Sequence, residues 1–203
     1  MNPLLFNLAA LAALVPAAIL PYLRREEPGS DIRDMAFWAV LAAACAGAVA
    51  WTWALYATGW RTGIAPTLWL TISLSLLLFA GIAAASQAFA KLICLFAPYT
   101  VLIGLIATIW AQAPGRPAPP TEAAAWLNLH IGVSVLTYAL ITLAAMAALG
   151  VFLQERALKA RRPSHLTAIL PAVSEAERLQ VRLLAASAIV LGLGLATGVV
   201  IEI

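Results

Sequence analysis

The chain has 203 residues, 64% of them hydrophobic and 10% charged, with a formal net charge of +3. Soluble domains carry roughly 25% charged residues, so this composition excludes a soluble enzyme, a disordered tail and a disulfide-stapled scaffold. The 12 Lys and Arg and 9 Asp and Glu residues leave six charge-free runs, 23, 26, 29, 24, 32 and 19 residues long. About 20 apolar residues suffice for a helix to cross a bilayer. The sequence therefore predicts an all-α polytopic membrane protein, a bundle of six transmembrane helices forming one domain over residues 1–203.

Span 1 covers about 4–23, with Pro16 and Pro21 bending its second half. Nothing is charged before Arg24, so the segment lacks the basic start of a signal peptide and reads as a span that stays attached. The charged loop RREEPGSDIRD follows, then span 2 over about 35–57 and a turn-rich connection from Gly59 to Pro66. Spans 3 and 4 are expected over about 67–85 and 92–112. The loop APGRPAPPTEA at 113–123 holds too much proline to be helical throughout. Span 5, over about 124–154, is expected to continue past Gln154 as a protruding helix. Span 6 covers about 175–201, and Ser174 with Glu177 makes an S-x-x-E capping signal at its start.

Alternate loops divide the basic residues ten to two, with only Arg61 and Arg116 on the poorer side. The positive-inside rule then places both termini outside, in the periplasm, for a multi-pass protein of the bacterial inner membrane. The basic balance is thus a matter of orientation within a lipid bilayer, not of nucleic-acid binding. The inner loop QERALKARRPSHLTAIL is basic enough to attract anionic headgroups. Cys45 and Cys94 form no CxxC and no ligand spacing, and read as small packing residues.

In that orientation six of the seven tryptophans, Trp51, Trp53, Trp60, Trp69, Trp110 and Trp126, fall at outer ends of spans. Two readings stand: an interfacial aromatic belt, or an outward platform for a large flat ligand. His130 lies one turn beyond Trp126, inside span 5, and ionisable groups inside spans are costly and usually functional. It heads a row at four-residue spacing, Ser134, Tyr138 and Thr142, with Asn128 nearby. His130 is either a hydrogen-bonded packing residue between helices or an axial ligand to haem iron, which neutral imidazole suits.

The segment LNLHIGVSVLTYALITLAAMAALGVFLQERALK at 127–159 carries His130, Ser134, Tyr138 and Gln154. In this pattern it resembles the cytochrome c assembly family (CcsA type), nearest the HemX- and YpjD-like branch. The resemblance covers about residues 124–200, including SEAERLQVRLLAASAIVLGLGLATG. It implies haem handling at the outer face, with His130 as the haem-iron ligand and Trp126, Ser134 and Tyr138 completing the haem-binding site. Implied partners are other cytochrome c assembly proteins or an apocytochrome, and the chain could pair as a homo-oligomer. The WxWD-type segment of better-known members is absent, and no second outward histidine follows span 6. The chain is therefore expected to be either a fragment or a short form with one protein ligand per copy.

Glycines in span 6 (Gly192, Gly194, Gly198) and the Ala43–Gly47 pair in span 2 read as close helix contacts. No Ser/His/Asp, Cys/His or paired-carboxylate constellation is present, so no catalytic residue is assigned. A haem-independent scaffold acting through the basic loop is the alternative function, with a small-solute permease third.

Overall fold

An unpaired backbone amide or carbonyl costs several kcal/mol in hydrocarbon, so an apolar chain crosses a bilayer as helix. The computed structural model describes residues 3–24, 31–57, 61–111, 116–117, 124–162 and 164–202. Six helices among them are long and apolar enough to span a membrane. They are α1 (Pro3–Leu23), α2 (Met35–Tyr56), α3 (Ile64–Ala85), α5 (Ile93–Trp110), α6 (Ala124–Ala160) and α8 (Val173–Glu202). Two short helices, α4 (Gln87–Ala90) and α7 (His165–Ile169), sit in the connections. The expected all-α, six-span architecture holds, with one small addition: β1 (Arg61–Thr62) pairs antiparallel with β2 (Arg116–Pro117). Trp60, Gln112 and most of the proline-rich loop at 113–123 lie outside the described residues.

Helix α3 starts at Ile64, earlier than the proline at position 66 suggested. Pro66 falls in the first turn, where its missing N–H has no partner to lose. Helix α6 is 37 residues long, about 55 Å at helical rise, and so protrudes beyond a hydrocarbon core about 30 Å thick. The S-x-x-E signal at Ser174 does not act as a cap. The Glu175 and Ala176 amides both donate to the Ala172 carbonyl, which starts α8 at Val173 and puts Ser174 inside the first turn. A capping box forms instead at Ser164 and Thr167, at the start of α7.

Helix α1 packs between α2 and α5, α3 lies against α2, α5 and α6, and α8 lies mainly along α6. Small residues let these backbones approach: a Cβ added to Gly47 would sit 2.6 Å from the Ala13 Cβ. Ala10 and Ala17 of α1 and Ala44 and Ala48 of α2 are buried, whereas Ala43 is exposed. Phe79, Phe89 and Phe96 knit α3, α4 and α5, with ring centroids 4.9 and 4.7 Å apart.

Polar bonds fasten the charged end. Asp34 caps α2 through the Phe37 amide at 2.8 Å and takes two bonds from Arg24 at 2.8 Å. Arg33, clasped by Asp31, reaches the Ala84 carbonyl at 3.1 Å and so serves an otherwise orphaned carbonyl at the end of α3. The Arg33 side chain holds the Asp31 carboxyl below the usual carboxylate range. The Phe37 amide and then Arg24 do the same for Asp34. Pro98 lies inside α5 and offers no N–H to the Cys94 carbonyl four residues back. The Tyr22 hydroxyl of α1 donates to that carbonyl at 2.6 Å.

Candidate functional site

His130 is the seventh residue of α6, about 9 Å along the helix from its start. Its half-buried ring faces α8. Nδ1 lies 3.1 Å from the Gly194 carbonyl oxygen and 3.2 Å from Thr197 Oγ1. A Cβ on Gly198 would come within 3.2 Å of His130 Cε1, and one on Gly194 within 3.3 Å of Val133 Cγ1. The absence of side chains at these two glycines is what admits the imidazole between the helices.

The geometry assigns the tautomer. The Thr197 hydroxyl donates to the Gly194 carbonyl at 2.9 Å, and that carbonyl can only accept. A bare Nδ1 would set its lone pair against the carbonyl's, so in the neutral ring Nδ1 carries the proton. Nε2 then holds the lone pair, and no described residue bonds to it. An imidazole whose Nδ1–H is tied to a backbone carbonyl and whose Nε2 is open has the form of a metal-ligating histidine.

The other expected site residues divide. Trp126 is exposed, one turn from His130. Ser134 donates to the His130 carbonyl at 2.8 Å, the usual fate of a serine hydroxyl in an apolar helix. Tyr138 is 62% exposed and lies roughly 80° round the helix from His130, because each four-residue step advances 40°. Asn128 is exposed and Thr142 half-buried. Thr197 is the residue that sequence reasoning passed over. Its signal is a lone hydroxyl between Gly194 and Gly198. His165 is exposed at the start of α7.

The tryptophans do not form one outward surface. Trp53, Trp110 and Trp126 are exposed, but Trp69 is fully buried and Trp51 is 6% exposed. Residues two apart on a helix point about 200° apart, so Trp53 faces out while Trp51 turns inward to Phe6, with centroids 5.9 Å apart. The Trp69 carbonyl instead anchors a buried polar knot, accepting from Thr52 at 3.1 Å and Ser73 at 2.9 Å. Gln154 also has a defined role. Its Nε2 donates to the Thr167 carbonyl at 2.8 Å, with the Leu170 and Pro171 carbonyls at 3.3 and 3.2 Å, binding the α6–α8 connection together.

A half-buried histidine poised between two helices acquires its meaning from the chain around it. The family model described as "Cytochrome C assembly protein" matches residues 60–200. The chain belongs to the cytochrome c assembly protein family. The match begins well before the 124–200 stretch that carries the sequence resemblance, and it does not single out the HemX- and YpjD-like branch. The chain is also 46% identical over 198 residues to an Azospirillum brasilense protein described as "Uncharacterized 28.8 kDa protein in nifR3-like 5'region". That alignment covers 98% of this chain and 73% of the relative. No solved structure matches this chain. Family and helices together make this a multi-pass protein of the bacterial inner membrane with a role in cytochrome c biogenesis. The family is associated with haem handling. Among the described residues no group of three or more His, Cys, Asp or Glu could hold a bare metal ion.

Proposed function

We propose that the protein holds haem as cargo at the outer face of the inner membrane, with His130 Nε2 as an axial donor to the iron. The observation that carries this reading is the Nδ1 contact with Gly194 and Thr197, which leaves Nε2 as the open lone pair. Exposed Trp126 flanks the position, and Trp53 and Trp110 offer further aromatic surface. Ser134 and Tyr138 complete the span-5 row, Ser134 by supporting the His130 backbone. The positive-inside rule supports placing the Arg24, Arg33 and α6–α7 end in the cytoplasm and both termini in the periplasm. The chain's part is to bind and orient; bound haem supplies the vinyl groups that react with cysteines of an apocytochrome, which, with other assembly proteins, is the partner in this reading. Detergent-purified protein should show a Soret band that is lost in His130→Ala with helicity retained. Wild type that takes up no haem even on reconstitution contradicts the proposal.

A further inference from the structure

The end of α6 and the short α7 flank an open surface cavity of about 360 Å³, lined by Gln154, Ala157, Leu158, Arg161, Thr167 and Ala168. Most of its polar lining is already engaged. Gln154 serves the connection carbonyls, and the Thr167 hydroxyl is tied to Ser164. The Arg161 guanidinium makes no hydrogen bond or ion pair among the described residues. The nearby carboxylate of Glu155 is taken by Lys159 at 3.0 Å.

Arg161 also occupies a backbone position that favours glycine. The Arg161 amide donates to the Leu158 carbonyl at 3.1 Å and the Arg162 amide to the Ala157 carbonyl at 3.2 Å. This is the Schellman ending of a helix, whose left-handed residue is usually glycine. Arg161 has a φ of 50°, and among the described non-glycine residues no other φ is positive. Crowding of Cβ makes that conformation costly for arginine, and such outliers gather at ligand-holding positions.

The height is right for a lipid headgroup. Gln154 ends the uncharged run, and Arg161 is seven residues further on, about 10 Å along the axis. A long arginine reaches back from there toward the hydrocarbon with its head in the polar layer. Ala157, Leu158 and Ala168 give the cavity an apolar wall, with Leu158 67% exposed.

We propose that this cavity binds one anionic phospholipid, its phosphate on the Arg161 guanidinium and its glycerol and first methylenes against Ala157, Leu158 and Ala168. A free phosphate would find one cation and leave the apolar wall wet; an amphiphile uses both. Neighbouring Arg156 and Arg162 add attraction without lining the cavity. The proposal stands independently of any haem at His130.

The test is native mass spectrometry of the full chain released from phosphatidylcholine bilayers containing a minority of phosphatidylglycerol. Wild type should retain phosphatidylglycerol several-fold over its share of the bilayer. Arg161→Gly should reduce retention to that share while leaving the thermal midpoint equal or higher, because glycine suits the left-handed position. Leu158→Trp, which fills the cavity without touching the charge, should also lower retention. Equal loss on Arg156→Gln would overturn the proposal in favour of a diffuse basic field. Displacement of the lipid by millimolar inorganic phosphate would overturn it in favour of a phosphate site. Undiminished retention in Arg161→Gly would overturn it outright.

Discussion

His130 Nδ1 on α6 lies 3.1 Å from the carbonyl oxygen of Gly194 on α8, so one transmembrane helix sets the tautomer of a histidine on another. Thr197 reinforces the contact at 3.2 Å and gives its own proton to the same carbonyl. Outer-shell partners of this kind are worth about 10–100-fold in metal affinity. Thr197→Val should therefore weaken haem binding by roughly 10-fold without changing helicity. Gly198→Leu should weaken it more, because its Cβ alone would come within 3.2 Å of His130 Cε1. Optical titration with haem, alongside circular dichroism, measures both; unchanged affinity in both variants would show that α8 does not position the ring.

Tyr22 takes over a bond that Pro98 cannot make, donating to the Cys94 carbonyl at 2.6 Å. Removing the hydroxyl in Tyr22→Phe should cost about 1–2 kcal/mol, since buried carbonyls are costly to strip of a donor. In a Pro98→Ala background residue 98 regains an amide for that carbonyl, and the cost of Tyr22→Phe should shrink. A double-mutant cycle on thermal unfolding in detergent checks the coupling. Additive effects would separate the two residues.

The six spans were legible because hydrocarbon forbids unpaired backbone, which makes apolar length almost a direct readout of topology. His130 was legible for the converse reason: a titratable group amid 32 uncharged residues stands out. What could not be read was which helix would meet it. Span 6 has one threonine in its glycine-bearing C-terminal half, and nothing in linear order says that Thr197 faces a residue 67 positions earlier. The split between Trp51 and Trp53 follows from helical angle alone, whereas position at a span end carries no information on facing. The cap at Ser164 departs from the S-x-x-E pattern because Thr167 fills the place usually held by Glu or Gln.

Acid should loosen the charged end first. The Asp31 and Asp34 carboxyls titrate below the usual carboxylate range in the folded protein, through Arg33 and through the Phe37 amide with Arg24. A carboxyl with a depressed folded-state pKa contributes stability that is present above its unfolded pKa, about 3.9. That stability is lost as pH falls through the folded value. Thermal midpoints should accordingly drop below about pH 4, and Asp34→Asn should flatten that drop while keeping part of the α2 cap. An acid limb identical in Asp34→Asn and wild type would contradict this.

Gly47 and Gly192 should respond in opposite ways to the same added methyl. At Gly47 the new Cβ would be 2.6 Å from Ala13 Cβ, whereas at Gly192 nothing lies within 4 Å. Gly47→Ala should destabilise by about 1–3 kcal/mol through overpacking of α1 on α2. Gly192→Ala should be neutral or stabilise by up to about 1 kcal/mol, as alanine does in a helix interior. Thermal unfolding of the two variants in one detergent decides it, and equal shifts would deny the close α1–α2 seam.

If His130 supplies its Nε2 lone pair to haem iron, free imidazole should replace it in a variant that lacks the ring. His130→Gly, purified and mixed with haem, is predicted to lack the wild-type Soret band and to regain it when imidazole is added, with Ala in place of Gly rescued less well. A Soret band in His130→Gly that matches wild type before any imidazole is added would show that His130 is not the iron ligand.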